Sequence, residues 1–193
     1  MISKRLSMAL VASSSLFLLA ACGSDDNSSS DSTTTGSAVA SCPTAEPAGD
    51  VTPEWTLDGS TGAVEVTGST DTNAPKVTVT EPFSVDATTV QTLTEGNGAI
   101  VPETAEVSVC YMGVNGRDGT VFDSSYERGA PVEFPLTGVV TGFQKAIAGQ
   151  KVGSTVAVAM TPDDGYGSTG NPRAGIEGDD TLIFAIKILD VTG

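Results

Sequence analysis

The sequence predicts an α+β fold, an antiparallel β-sheet with one short amphipathic helix packed against its concave side, and three observations carry that prediction. Valine, threonine and turn residues dominate from about residue 61 onward, a composition that favours strands. The segments 76–80, 88–94, 106–112, 132–135, 155–160 and 182–191 mostly alternate in hydrophobicity, as antiparallel strands with one covered face do. One segment breaks the alternation: Phe143, Ala146 and Ile147 stand at i, i+3 and i+4, the spacing of a helix apolar on one side.

Each element has local support. In the strand from Ala105 to Gly113, Val107, Val109 and Tyr111 share one face, while Glu106, Ser108 and Cys110 share the more polar other. For the helix, Thr141 offers an N-cap hydroxyl and Gly149 marks the stop. A short helix amid strands buries its apolar stripe on the sheet. No internal repeat is visible, and no apolar run beyond residue 61 is long enough to span a bilayer.

The first residues read as an export signal: Lys4 and Arg5 form the charged region, Met8 to Ala21 the apolar region, and small residues precede Cys22. Leu19-Ala20-Ala21-Cys22 resembles a bacterial lipobox, whose cysteine is acylated and becomes the new N-terminus. The alternatives are an ordinary signal cut at the alanines and an unprocessed anchor. Gly23 to Ser41 is almost entirely small and polar, too poor in apolar surface to fold. The organisation expected is therefore a signal peptide at 1–21, a flexible acidic tether at 22–60, and a folded domain at 61–193 in which a β extension precedes a core at about 86–193. Such a protein faces the extracytoplasmic side of a bacterial cell membrane, held there by lipid.

Charge narrows the partners. The chain carries a formal charge of −15. Losing Lys4 and Arg5 with the signal takes it to about −17 by side-chain count. That sign argues against nucleic acid as a partner and against docking on anionic lipid by charge. With Cys22 acylated, Cys42 and Cys110 are an even pair outside the cytosol, either a disulfide joining the tether's end to the domain or two free thiols.

Several chemistries are excluded. The chain has no histidine, which removes Ser-His and Cys-His nucleophilic systems and histidine-based zinc sites. Around Asn115-Gly116-Arg117-Asp118-Gly119, an EF-hand register would put Val114, Gly116 and Ser125 at positions that need oxygen-rich ligands, so no metal site is expected. Gly165, Gly167 and Gly170 have dinucleotide-loop spacing, but Asn171-Pro172 and Gly175 break the helix such a loop requires, and the surrounding acids repel phosphates. No cofactor is expected. What remains is a set of aromatics beside Gly or Asp: Tyr111, Phe122-Asp123, Phe134, Phe143, Tyr166 and Phe184, of which Phe134 and Phe184 read equally well as plain core.

These residues carry a family resemblance. From about Glu106 to Val191 the segments "VCYMG", "DGTVFDSSYERGAPVEFPL", "VVTGFQKAIAGQKVGSTVAVAMTPDDGYGSTGNP" and "TLIFAIKILDV" follow in the order of the FKBP-type peptidyl-prolyl cis-trans isomerases, and Gly96 and Gly98 resemble the turn after that family's first strand. The resemblance implies a twisted antiparallel β-sheet wrapped around one short amphipathic helix. It implies catalytic roles for Tyr111, Phe122, Asp123, Tyr166 and Phe184, and substrate contacts from Arg128, Phe134, Val139, Val140, Phe143 and Ile176. Phe143 stands where the family has a tryptophan floor. There are departures: Val132 replaces a frequent aromatic, Asn171 stands where histidine can occur, the loop between Leu136 and Val139 is shorter, and Glu177-Gly178 replaces Pro-Pro. The last change implies a flap over Asp163 to Asp180 that is more mobile and more acidic than usual.

The resemblance thus implies an isomerase, acting as a monomer on prolyl-containing polypeptides and assisting the folding of exported proteins, with the family's macrolide inhibitors as further ligands. The other readings are a proline-segment binding module or holdase with little turnover, and an inert spacer on the lipid anchor.

Overall fold

The computed structural model describes residues 41–193. The segments expected as signal peptide, acylated Cys22 and first part of the tether lie outside the described residues. Nine strands and two short helices follow in order: β1 (Trp55–Asp58), β2 (Thr61–Thr67), β3 (Lys76–Ser84), β4 (Thr89–Thr94), β5 (Glu106–Asn115), β6 (Val121–Ser124), α1 (Ser125–Arg128), β7 (Val132–Pro135), α2 (Thr141–Ile147), β8 (Thr155–Met160) and β9 (Leu182–Val191).

The larger sheet has the order β4-β8-β9-β5-β6, with β7 pairing along the other stretch of β5 so that β6 and β7 share one edge. All pairs are antiparallel, and the register sets Tyr111 opposite Ile186, Gly113 opposite both Phe184 and Asp123, and Val107 opposite Phe134. Alternation sends Val107, Val109, Val156, Val158, Met160, Phe184, Ile186 and Ile188 to the concave face, where α2 adds Phe143, Ala146 and Ile147 to one buried cluster. The helix comes close to the sheet because residue 142 is glycine: a Cβ there would stand 2.7 Å from that of Met160. This is the α+β arrangement of a sheet wrapped around one amphipathic helix.

The helix starts one residue earlier than its cap was expected to allow. Thr141 is its first residue, and Val140, with no side-chain cap bond, is the N-cap; the Phe143 and Gln144 amides donate to the Val140 carbonyl at 3.0 and 3.1 Å. Val140 is needed elsewhere, at the rim of a cleft described below.

The convex face corrects the expectation of one covered face. All six residues of β8 are buried. A second, three-stranded sheet, β1-β2-β3, packs Val64, Val66 and Phe83 against Val114, Ala157, Ala159, Ile183 and Ala185 of the larger sheet. Small alanines on that face let the two sheets approach closely.

The tether, expected through residue 60, also ends sooner. Trp55 and Leu57 alternate inward in β1 and pack on the second sheet's core, and Ala45 bridges to Asn73. Cys42 is buried and joined to Cys110 as a disulfide, with Cα atoms 5.7 Å apart. Cys110 lies on the outer face of β5, where Cys42, Ala74 and Tyr126 cover it. A run of small polar residues before Cys42 hides the point at which apolar anchors begin.

Candidate active site

The concave face is not fully closed. A cleft of about 680 Å³ opens beside the N-terminus of α2, between β5, β6, β7, β9 and the loop that joins β8 to β9. Its walls are aromatic because strands and helix aim rings at one point. Phe143, from α2, forms the floor with Phe184, from β9, their centroids 4.9 Å apart at 83°. Phe122 meets Phe184 edge-on at 5.5 Å, Phe134 meets Phe143 at 5.5 Å, and Tyr111 meets Phe143 at 5.7 Å and 85°. Edge-to-face contacts of this kind satisfy the ring quadrupoles and fix the walls relative to one another.

Gly113 makes the convergence sterically feasible. It follows Tyr111 on the same face of β5, and a Cβ there would stand 2.5 Å from Phe122 Cζ and 2.8 Å from Phe184 Cε1. The gap in the side-chain row is filled by the two rings. The sequence pattern ends the strand at about this glycine, whereas the structure carries β5 on to Asn115 and so places Gly113 within it, where a glycine marks close approach by a neighbour.

One wall is polar. The Tyr111 hydroxyl donates to Asp123 Oδ2, and Arg128 Nη1 donates to Asp123 Oδ1 at 2.5 Å while its Nη2 reaches the Tyr111 oxygen at 3.4 Å. Local structure sets this up. Ser124 caps the one-turn helix α1 by accepting from the Glu127 amide, Gly129 ends it at φ 67°, and Arg128 is thereby turned back toward Asp123. Behind them the Tyr111 amide donates to Ser125 Oγ at 2.8 Å. Burial, with Asp123 adding to it, pushes the Tyr111 phenol up to about 12. Burial also pushes the Asp123 carboxyl up, but the Tyr111 hydroxyl and the Arg128 guanidinium outweigh it and hold that carboxyl below its ordinary value. At neutral pH the wall is therefore a carboxylate with a phenol and a guanidinium donating to it.

The flap from Asp163 to Asp180 carries polar contacts at both ends. Lys145, on α2, pairs with Asp164 at 2.8 Å. Asp180 is buried and accepts from Asn115 Nδ2 at 2.6 Å, the Glu177 amide at 2.7 Å and Arg117 Nε at 3.0 Å, and Arg117 Nη2 also donates to the Gly175 carbonyl at 3.1 Å. Between these anchors Tyr166 projects at the cleft mouth, 38% exposed.

Of the residues singled out from the sequence, Tyr111, Phe122, Asp123, Phe134, Val139, Val140, Phe143, Tyr166 and Phe184 all line the cleft. Two do not. Arg128 is exposed behind the wall and acts through Asp123 and Tyr111. Ile176 is 2% exposed and packs into the concave-face core cluster, its backbone bridged to Asn171. On that side the cleft is lined by Asn171, which the resemblance placed where histidine can occur, and by Arg173 and Ala174, which the sequence did not single out.

Residues 98–189 match the family model for FKBP-type peptidyl-prolyl cis-trans isomerase. The chain is 38% identical over 96 residues to a probable FK506-binding protein of Corynebacterium glutamicum, covering 49% of this chain and 78% of that one. It is 39% identical over 99 residues to the FKBP-type 22 kDa peptidyl-prolyl cis-trans isomerase of Escherichia coli, covering 51% of this chain and 47% of the relative. Among solved structures, FkpA from Escherichia coli superposes with a TM-score of 0.51 at 34% identity, over 54% of this chain and 48% of that one. The chain thus spans most of the first relative and about half the length of the other two. A fold, a ring-walled cleft and a family match that coincide over the same residues lead to one conclusion: the chain belongs to the FKBP-type peptidyl-prolyl cis-trans isomerases.

Proposed function

We propose that this chain isomerises X-Pro bonds in polypeptides exported across the cytoplasmic membrane, acting as a monomer held at the extracytoplasmic face by lipid on Cys22. The observation that carries the catalytic part is the ring cluster of Phe122, Phe143 and Phe184, which opens onto solvent beside the Tyr111–Asp123 wall. A disulfide between Cys42 and Cys110 supports an oxidising compartment, and the motif from Leu19 to Cys22 supports acylation. The same cleft is proposed to admit the family's macrolide inhibitors.

Rotation about the X-Pro bond is opposed by amide resonance, with a barrier of about 18–20 kcal/mol. No bond between heavy atoms breaks, so neither nucleophile nor histidine is needed. At the twisted transition state the imide loses resonance and its carbonyl loses dipole, so an apolar cleft penalises it less than the planar ground state. Phe122, Phe143 and Phe184 grip the pyrrolidine ring, Val139 and Val140 hold the adjacent backbone, and the Tyr166 hydroxyl donates to a substrate carbonyl. Asp123 keeps the Tyr111 ring in place as part of the wall. Lowering the barrier by about 5 kcal/mol accelerates exchange several thousand-fold.

The test is a proline-limited refolding reaction. Wild-type protein is expected to speed the slow phase, Tyr166→Phe to do so less well, and Phe122→Ala to lose most of the effect. Peptide binding with no acceleration by wild type would replace the isomerase with a binding module. The anchor is tested by fatty-acid labelling, which should vanish in Cys22→Ala.

A further inference from the structure

Arg173 differs from most of the molecule's other basic side chains. Among the described residues, Arg117, Arg128, Lys145 and Lys151 each pair with a carboxylate, and Lys187 donates to the Gly153 carbonyl at 2.8 Å. Lys76 and Arg173 have neither kind of partner. Lys76 belongs to β3 of the second sheet, whereas Arg173 lines the cleft.

Its backbone is held firmly. Asn171 and Ile176 exchange both amide bonds, at 2.8 and 3.0 Å, and the Pro172–Ala174 turn they enclose is closed by Gly175 donating to the Pro172 carbonyl at 3.2 Å. Arg173 is carried at the tip of this small clamped loop, exposed to solvent. Across the cleft the one lining carboxylate, Asp123, is already engaged by Tyr111 and Arg128. Among the side chains that line the cleft, Arg173 is therefore the one charge without an opposite partner. Asn171 lines the same edge and adds an amide group beside it.

We propose that Arg173 forms a specificity subsite that selects prolyl segments with a carboxylate side chain, Glu or Asp, next to the proline. The proposal rests on the isomerase reading and names a substrate class for it. Its physical basis is local. Long-range repulsion from the acidic surface acts on every acidic peptide alike, and is screened within about 8–10 Å at ordinary salt. At the rim the carboxylate meets a fork of donors with no competing partner.

The experiment uses dye-labelled tetrapeptides, Ala-Xaa-Pro-Phe and Ala-Leu-Pro-Xaa, with Xaa as Glu or Gln. Each is measured for kcat/KM of isomerisation and, separately, for binding by fluorescence anisotropy. The readout is the Glu-to-Gln ratio, which cancels whatever else a substitution does to the cleft. In at least one of the two positions the ratio should be about three- to fivefold higher for wild type than for Arg173→Gln, as expected of a partly exposed ion pair. Arg173→Glu should lower it further, and added salt should draw the wild-type ratio toward that of Arg173→Gln. Equal ratios in wild type and Arg173→Gln at both positions would overturn the subsite. If wild type binds the peptides with that preference but does not turn them over, the isomerase reading falls while the subsite stands. If it binds none of them, both fall.

Discussion

The two faces of the larger sheet each carry a buried apolar cluster and end in opposite states. On the convex side Ala157, Ala159 and Ala185 present a low surface, and the β1-β2-β3 sheet closes over it with Val64, Val66 and Phe83. On the concave side the residues are large, α2 covers only part of the sheet, and the rings that line the remainder are planted on different elements. Apolar surface alone does not make a binding cleft. One arises where side chains too large and too differently rooted to interdigitate leave room for a ring of foreign origin.

That contrast assigns stability to one face and turnover to the other, and the largest effect expected from it is on stability. Phe83 is 2% exposed in the cluster between the two sheets, and none of that cluster's residues lines the cleft. Phe83→Ala should cost about 3–5 kcal/mol of unfolding free energy in a denaturant titration. The folded fraction should isomerise a neutral prolyl peptide at nearly the wild-type rate. A fall in turnover per folded molecule that matches the loss of stability would mean that the faces are coupled.

The converse substitution is smaller in free energy and acts on the other side. Gly113→Ala places a methyl where Phe122 and Phe184 now meet, and one ring must move. The expected result is a fall of about tenfold in kcat/KM, equivalent to about 1.4 kcal/mol, with a smaller change in unfolding free energy. If stability drops by several kcal/mol while the rate holds, Gly113 serves folding rather than the spacing of the walls.

The same contrast explains what could be read in the sequence. Nine of the cleft's lining residues were legible because each is an aromatic, an aspartate or a valine in a motif whose order is distinctive. The helix was legible from Phe143, Ala146 and Ile147 because a 3.6-residue period stands out among alternating strands. The convex closure was not. Trp55 and Leu57 form only a four-residue strand, and Ala157 and Ala159 look neutral in an alternating pattern until a second sheet is seen to need their small size. That Ile176 is buried outside the cleft lining while Arg173 lies within it was not legible, because the flap is built from short irregular turns and a backbone bridge that no periodicity encodes.

The smallest effect concerns charge, which the concave wall has and the convex packing lacks: the residues sealed between the sheets are valine, alanine, isoleucine and phenylalanine. Asp123, whose folded carboxyl is held below its ordinary 3.8, contributes stability that is present above the unfolded value and is lost as pH falls through the lower folded one. Tyr111, raised to about 12 from 10.0, contributes stability that is present below the unfolded value and is lost as pH rises toward the folded one. The wall should therefore be intact, and turnover of an uncharged peptide flat, from about pH 5 to 9. Because the Asp123 side chain is 41% exposed, solvent screening keeps the contribution to stability small, so the sharper measurement is the carboxyl's own titration. Followed by NMR, its midpoint should lie below 3.8 in the wild type and move upward in Arg128→Ala, which leaves Tyr111 as the remaining side-chain donor. A midpoint that does not respond to removal of Arg128 would mean that the guanidinium is not what orders the wall, and the assignment of Arg128 as a positioning residue would fail with it.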